Sequence, residues 1–351
     1  MRRLPIYFLI DISESMVGEP IQQVEEGISE IIQTLKKDPN AIETVWVSII
    51  VFAGQAKTLV PLQELITFYP PKFPVGSGTS LSKGLDHLMI ELEKNIVKTT
   101  SDKKGDWKPI VFLFTDGVPT DDTKATISAW KRDWIRKANL IAISFGSDTD
   151  TQLLAELTET VLLFNNTNAT AYKQFFKWVT DSIKTSSVSV DHHLGSDELA
   201  KVDGQTLLQI DLTKLKNTTP IIDNNYVILS GMCQNNQRPY LIKYRRRVEP
   251  NNIGGLELET ICYKLVGAFQ VDNSYFELSV TTSADFTINT EELIGAPTCP
   301  CCGNQFAFAA CVCGNLHCIG EEEVSECPWC GNKGSYGASG EGGFDVTRTQ
   351  G

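Results

Sequence analysis

Residues 6–15 read Ile6-Tyr7-Phe8-Leu9-Ile10-Asp11-Ile12-Ser13-Glu14-Ser15. Consecutive apolar residues, aromatic and branched, predict a strand buried on both faces, as in parallel sheets. That strand runs straight into an acid and two hydroxyls, groups that either cap the next helix or gather at a site.

The same pattern recurs where Pro109-Ile110-Val111-Phe112-Leu113-Phe114 ends in Thr115-Asp116-Gly117. Around these runs, up to about residue 187, short apolar stretches alternate with helical periodicity. Ile21, Val24, Ile28, Ile31, Ile32 and Leu35 follow Pro20 at helical spacing, and Leu81, Leu85, Leu88, Met89 and Leu92 mark another helix. VWVSIIVFA, LIAISFG and VLLF read as further strands, and KTLVPLQEL as a Pro-bearing edge strand. The predicted fold class is α/β: a doubly wound, mostly parallel six-stranded sheet with helices on both faces.

In the common strand order, the first strand and the one at 110–114 are central neighbours, so Asp11 and Asp116 converge outside their carboxyl ends. The loop Pro74–Leu81 brings Thr79 to the same edge. Two acids and the hydroxyls of Ser13, Ser15 and Thr79 form an all-oxygen donor set. Such a set suits Mg²⁺ or Mn²⁺ better than zinc, and one that under-fills the ion leaves a position for an incoming carboxylate.

The chain of 351 residues carries a net charge of -12, which argues against wholesale binding to nucleic acid or anionic membrane. The apolar N-terminal run meets Asp11 too soon for a signal peptide, and no run is long enough to span a bilayer, so a soluble, cytoplasmic protein is expected. Residues 188–296 predict a β-rich module, 297–333 a Cys-rich zinc module, and 334–351 a flexible tail poor in apolar residues.

Eight of the 10 cysteines crowd into residues 299–330, while Cys233 and Cys262 stand apart. The segment opens and closes with C-P-x-C-G knuckles, Cys299 with Cys302 and Cys327 with Cys330, which by themselves complete one tetrahedral zinc site. Cys311, Cys313 and Cys318 supply a second if Cys301 or His317 joins them, and one zinc and two zincs both fit the spacing. Closed thiolate sites are structural, so folding is expected to depend on the metal.

The DISES stretch, the Gly78-Thr79-Ser80 turn and Thr115-Asp116-Gly117 together resemble the metal-ion-dependent adhesion site of a von Willebrand factor type A domain, over residues 1–187. The resemblance implies that Asp11, Ser13, Ser15, Thr79 and Asp116 ligate Mg²⁺ directly or through water, and that an acidic residue of a partner protein completes the ion. With the β-rich module and the cysteines, the chain to about residue 333 resembles the TerY family of tellurium-resistance-associated proteins. That implies a cytoplasmic scaffold or adaptor in a bacterial tellurite or stress response, acting with a serine/threonine kinase and a metal-dependent serine/threonine phosphatase.

The competing reading is a Mg²⁺-dependent phosphohydrolase of the haloacid-dehalogenase type, whose motif resembles DxDx(T/V). Here Ser13 stands where the second acid belongs, so the group that protonates a leaving group is missing. There is no phosphate-binding G-x-x-x-x-G-K-(S/T) loop and no evident Ser-His-Asp set, so a non-enzymatic binding protein is expected. Trp130 and Trp134 read as packing residues, Lys243-Tyr244-Arg245-Arg246-Arg247 as a solvated strand face, Asp148 and Asp150 as loop acids, and His192 and His193 as linker.

Overall fold

The computed structural model describes residues 2–349 apart from 103, 117, 146–150, 165–168, 190–206, 210–223, 254–255, 281–285, 323 and 338–342. Gly117, Asp148, Asp150, His192 and His193 lie outside the described residues. The chain divides into two compact units. The first comprises Met1–Ile12, Gly18–Phe73 and Thr79–Pro220, and the second Ser13–Val17, Pro74–Gly78 and Ile221–Gly351.

In the first unit the strands are β1 (Leu4–Asp11), β2 (Val45–Phe52), β3 (Ala56–Glu64), β4 (Ile110–Thr115), β5 (Asn139–Phe145), β6 (Val161–Phe164) and β7 (Leu207–Gln209). They form one sheet in the order β3-β2-β1-β4-β5-β6-β7. The six expected strands are all present, with β3 antiparallel at one edge. The short β7, from a stretch assigned by its pattern to the next module, pairs antiparallel with β6 at the other edge. Three residues carry too little periodicity to reveal which sheet they join.

The helices are α1 (Glu19–Leu35), α2 (Pro39–Thr44), α3 (Leu81–Asn95), α4 (Lys124–Asp133), α5 (Thr151–Leu157) and α6 (Ala169–Ser189). Side chains alternate across a strand, so β1 and β4 feed two layers at once. Tyr7, Leu9, Val111 and Leu113 join Leu85 and Leu88 of α3 and Trp130 of α4 in one cluster. Phe8 stacks on Phe112, and Phe114 on Phe176 of α6, across the other face. Trp130 and Trp134 are both buried packing residues, and the Trp130 indole donates to Leu157 O at 3.1 Å.

In the second unit the elements are β8 (Tyr226–Met232), β9 (Pro239–Ile253), β10 (Leu256–Gln270), α7 (Ser274–Leu278), β11 (Thr287–Asn289), β12 (Leu293–Ile294), β13 (Phe306–Ala310), β14 (Leu316–Ile319), β15 (Ser325–Glu326), β16 (Lys333–Gly334) and β17 (Asp345–Thr347). The main sheet runs β12-β10-β9-β8-β14-β13. Its meander belongs to the expected β-rich module and its β13–β14 hairpin to the expected Cys-rich module. The parallel pairing of β14 with β8, Leu316 opposite Gly231, makes the two one sheet.

The tail also departs from its composition. β17 pairs with β11, Val346 is buried, and Arg348 donates to Tyr226 O, so these residues are part of the fold. In the basic stretch, Arg245–Arg247 are exposed as expected, but Lys243 and Tyr244 are buried.

Helix α1 meets α6 at Gly27, where an added Cβ would lie 2.1 Å from the Phe176 ring. Gly27→Ala is therefore expected to destabilise the first unit by about 1–3 kcal/mol through overpacking, against the ~1 kcal/mol that helix propensity alone would return. Chemical denaturation checks the sign.

Candidate metal centres

The parallel register of β1 and β4 sets Ile10 opposite Phe114, so the two strands end at one level. Asp11 is fully buried there and accepts a hydrogen bond from the Thr115 hydroxyl at 2.7 Å; Asp116 follows directly. Gly78 takes a φ of 82°, a left-handed turn that glycine allows without strain, and hands the chain to Thr79. Ser80 N donates to Ala53 O at 2.8 Å, fixing this turn to the end of β2.

Beyond Asp11 the chain enters a 3₁₀ turn, Glu14–Met16, and the Ser13 and Ser15 hydroxyls lie 2.9 Å apart. If these hydroxyls served only as helix caps, they would bond to backbone N–H groups. Neither Ser13, at the head of the 3₁₀ turn, nor Ser80, at the head of α3, makes a side-chain capping bond.

Inside the second unit the segment Ser13–Val17 is gripped by residues that spacing did not single out. The Lys243 ammonium donates to Ser15 O and, at 3.1 Å, to Val17 O, and it lies over the Tyr226 ring. The Tyr275 hydroxyl donates to Glu14 Oε1. Burial, with the Glu14 charge adding to it, pushes the Tyr275 phenol well above its ordinary pKa, so it remains a donor. Ser77 N donates to Ser279 Oγ at 2.9 Å, and Val280 N to Ser77 O at 3.1 Å.

The cysteines form two quartets able to hold a metal ion: Cys233, Cys299, Cys302 and Cys318, and Cys311, Cys313, Cys327 and Cys330. Two corrections follow. The C-P-x-C-G knuckles do not share a site but seed one quartet each. The eighth sulfur is neither Cys301 nor a group replaced by His317, but Cys233. It lies just past β8, which pairs with β14, the strand that carries Cys318. His317 turns Nδ1 to Cys318 O at 3.0 Å.

All cysteines are free thiols. Sulfur separations are 3.7 Å for Cys302–Cys318, 3.9 Å for Cys318–Cys233, 3.6 Å for Cys311–Cys330 and 3.9 Å for Cys313–Cys327. A tetrahedral zinc with Zn–S bonds of about 2.3 Å requires sulfur edges of about 3.8 Å. Both quartets fit that ion.

Comparison with known proteins agrees with this division. Residues 6–178 match the von Willebrand factor type A domain, and residues 223–351 match the TerY-C metal binding domain. The chain has the TerY architecture. The TerY-C match spans the β-meander, both cysteine quartets and the tail, in keeping with the main sheet that joins the meander to the β13–β14 hairpin.

Among solved structures, the chain is similar to proximal thread matrix protein 1 from the mussel byssus. Identity is 19% over 51% of this chain and 48% of that one, with a TM-score of 0.38. It is also similar to a von Willebrand factor type A protein from Catenulispora acidiphila (14% identity, 52% and 43% coverage, TM-score 0.40). A third is the ArnB paralog VWA2 from Sulfolobus acidocaldarius (13%, 78% and 66%, 0.39). The chain spans less than half the length of the first two.

Elemental analysis of Cys233→Ser is expected to find about one zinc per chain against two for the unaltered protein, because the Cys311 quartet keeps its four sulfurs. Cys301→Ser is expected to retain both.

Proposed function

We propose that this protein is a metal-dependent interaction scaffold in which Asp11, Ser13, Ser15, Thr79 and Asp116 hold Mg²⁺ or Mn²⁺. The observation that carries this reading is the arrival of Asp11 and the Thr115-Asp116 pair at adjacent strand ends. A buried carboxylate is stable only with compensating charge or donors, and a divalent cation supplies the charge. The donors offered are all oxygen, the preference of a hard ion. When bound, the ion supplies a coordination position that an acidic side chain of a partner protein completes.

The chain's own residues orient the donors. Thr115 holds the Asp11 carboxylate, Lys243 holds the carbonyls behind Ser15, and the turn at Gly78 presents Thr79. Ser13 stands in the sequence where a haloacid-dehalogenase-type phosphohydrolase has its second carboxylate, the group that would act as general acid. That arrangement supports docking, without turnover.

The two cysteine quartets, as closed thiolate sites, serve the folding of the TerY-C domain. We further propose, from the resemblance of the chain to the TerY family alone, a cytoplasmic adaptor in a bacterial tellurite or stress response that assembles with a serine/threonine kinase and a metal-dependent serine/threonine phosphatase.

The test is capture of such a purified kinase or phosphatase by the immobilised full chain in Mg²⁺, in EDTA, and with Asp116→Ala. Capture is expected in Mg²⁺ alone. Hydrolysis of a generic phosphomonoester by the full chain, lost in Asp11→Ala, would instead establish the phosphohydrolase.

A further inference from the structure

Thr79 belongs to the connection before α3 and Asp116 to the connection after β4. The two connections are fastened together within the first unit by two residues that no motif includes. Thr79 N donates to Thr120 Oγ1 at 3.0 Å, and Thr120 N donates to Thr79 O at 2.9 Å. Next to this pair, Asp121 Oδ2 accepts from Ser80 Oγ at 2.6 Å, from Ser82 N at 3.1 Å and from the Ser82 hydroxyl.

We propose that Thr120 and Asp121 are positioning residues of the oxygen-rich metal site, a clasp that locks the Thr79 turn to the loop bearing Asp116. This rests on the metal reading above and adds to it which parts of the site are fixed beforehand.

The simpler account is that Asp121 only caps α3, whose first N–H groups lack partners within the helix. Ser80 stands at the capping position and could do this with its own hydroxyl, yet it gives that hydroxyl to Asp121. The acid also carries a cost, because its Oδ1 is buried with no hydrogen-bond partner among the described residues. Hydrogen bonds to a carboxylate are the stronger kind, and here they come from Ser80, directly after Thr79, and from Ser82. Thr120 completes the fastening on the Thr79 backbone itself, where helix capping has no use for it.

The consequence is that Thr79 and Asp116 move as one body. Their spacing is settled before an ion arrives, so binding does not have to order them. Partners behind metal ligands commonly contribute a factor of about 10–100 in metal affinity.

The experiment is titration calorimetry of the full chain with Mg²⁺ alone, alongside thermal unfolding of the metal-free protein. Thr120→Val and Asp121→Ala are expected to weaken Mg²⁺ binding by about tenfold or more while the metal-free unfolding temperature stays within a few degrees. Thr120→Ser, which keeps the hydroxyl, is expected to restore the affinity. Folded variants that bind Mg²⁺ like the unaltered chain overturn the clasp and leave the metal site standing. So does a loss in Thr120→Val that Thr120→Ser fails to restore. If Asp121→Ala does not fold, the two Thr120 variants decide. Unaltered protein that binds no Mg²⁺ overturns the metal site and the clasp with it.

Discussion

The parallel register between β1 and β4 is the constraint on which the rest depends. Both strands are buried on both faces, with odd-numbered side chains packed towards α3 and α4 and even-numbered ones towards α6. A one-residue slip would exchange the two sets, sending Tyr7 into the layer that Phe8 fills. Core packing therefore fixes where the strands stop, and with it the place at which Asp11 and Asp116 leave the apolar interior. Position of the acids is inherited from the hydrophobic layers, and the surrounding turns need only bring hydroxyls to it.

Much of the first unit is legible in the sequence because its signals are local. A run such as Ile6–Ile10 declares a buried strand within five residues, and the helices show their inner faces within three turns. The two acids are legible for the same reason, since the β1–β4 pairing ends both strands at one level, with Asp11 and the Thr115-Asp116 pair side by side. Thr120 and Asp121 are not. An acid a few residues after Thr115-Asp116-Gly117 looks like any loop carboxylate until its contacts with Ser80 and Ser82, some forty residues earlier in the chain, are known.

The second unit shows where such reading stops. Cysteine spacing announces metal but is degenerate about pairing. Cys299–Cys302 and Cys327–Cys330 are equivalent as sequence, and only the β8–β14 pairing shows that they serve different quartets. Lys243 lies in a stretch whose charge reads as solvent-facing, yet its ammonium is buried against backbone carbonyls. Residues 345–349 look like disordered tail by composition, and fold because a single strand pairing and one buried valine are enough when a sheet is already present.

The place of Cys233 in its quartet has a consequence for biosynthesis. Three of the four sulfurs lie between residues 299 and 318, whereas Cys233 leaves the ribosome with the β-meander long before them. The quartet closes only when Cys318 emerges. A metal ion held by this quartet would therefore tie the end of β8 to sulfurs contributed much later in the chain, closing a long loop rather than a local knuckle.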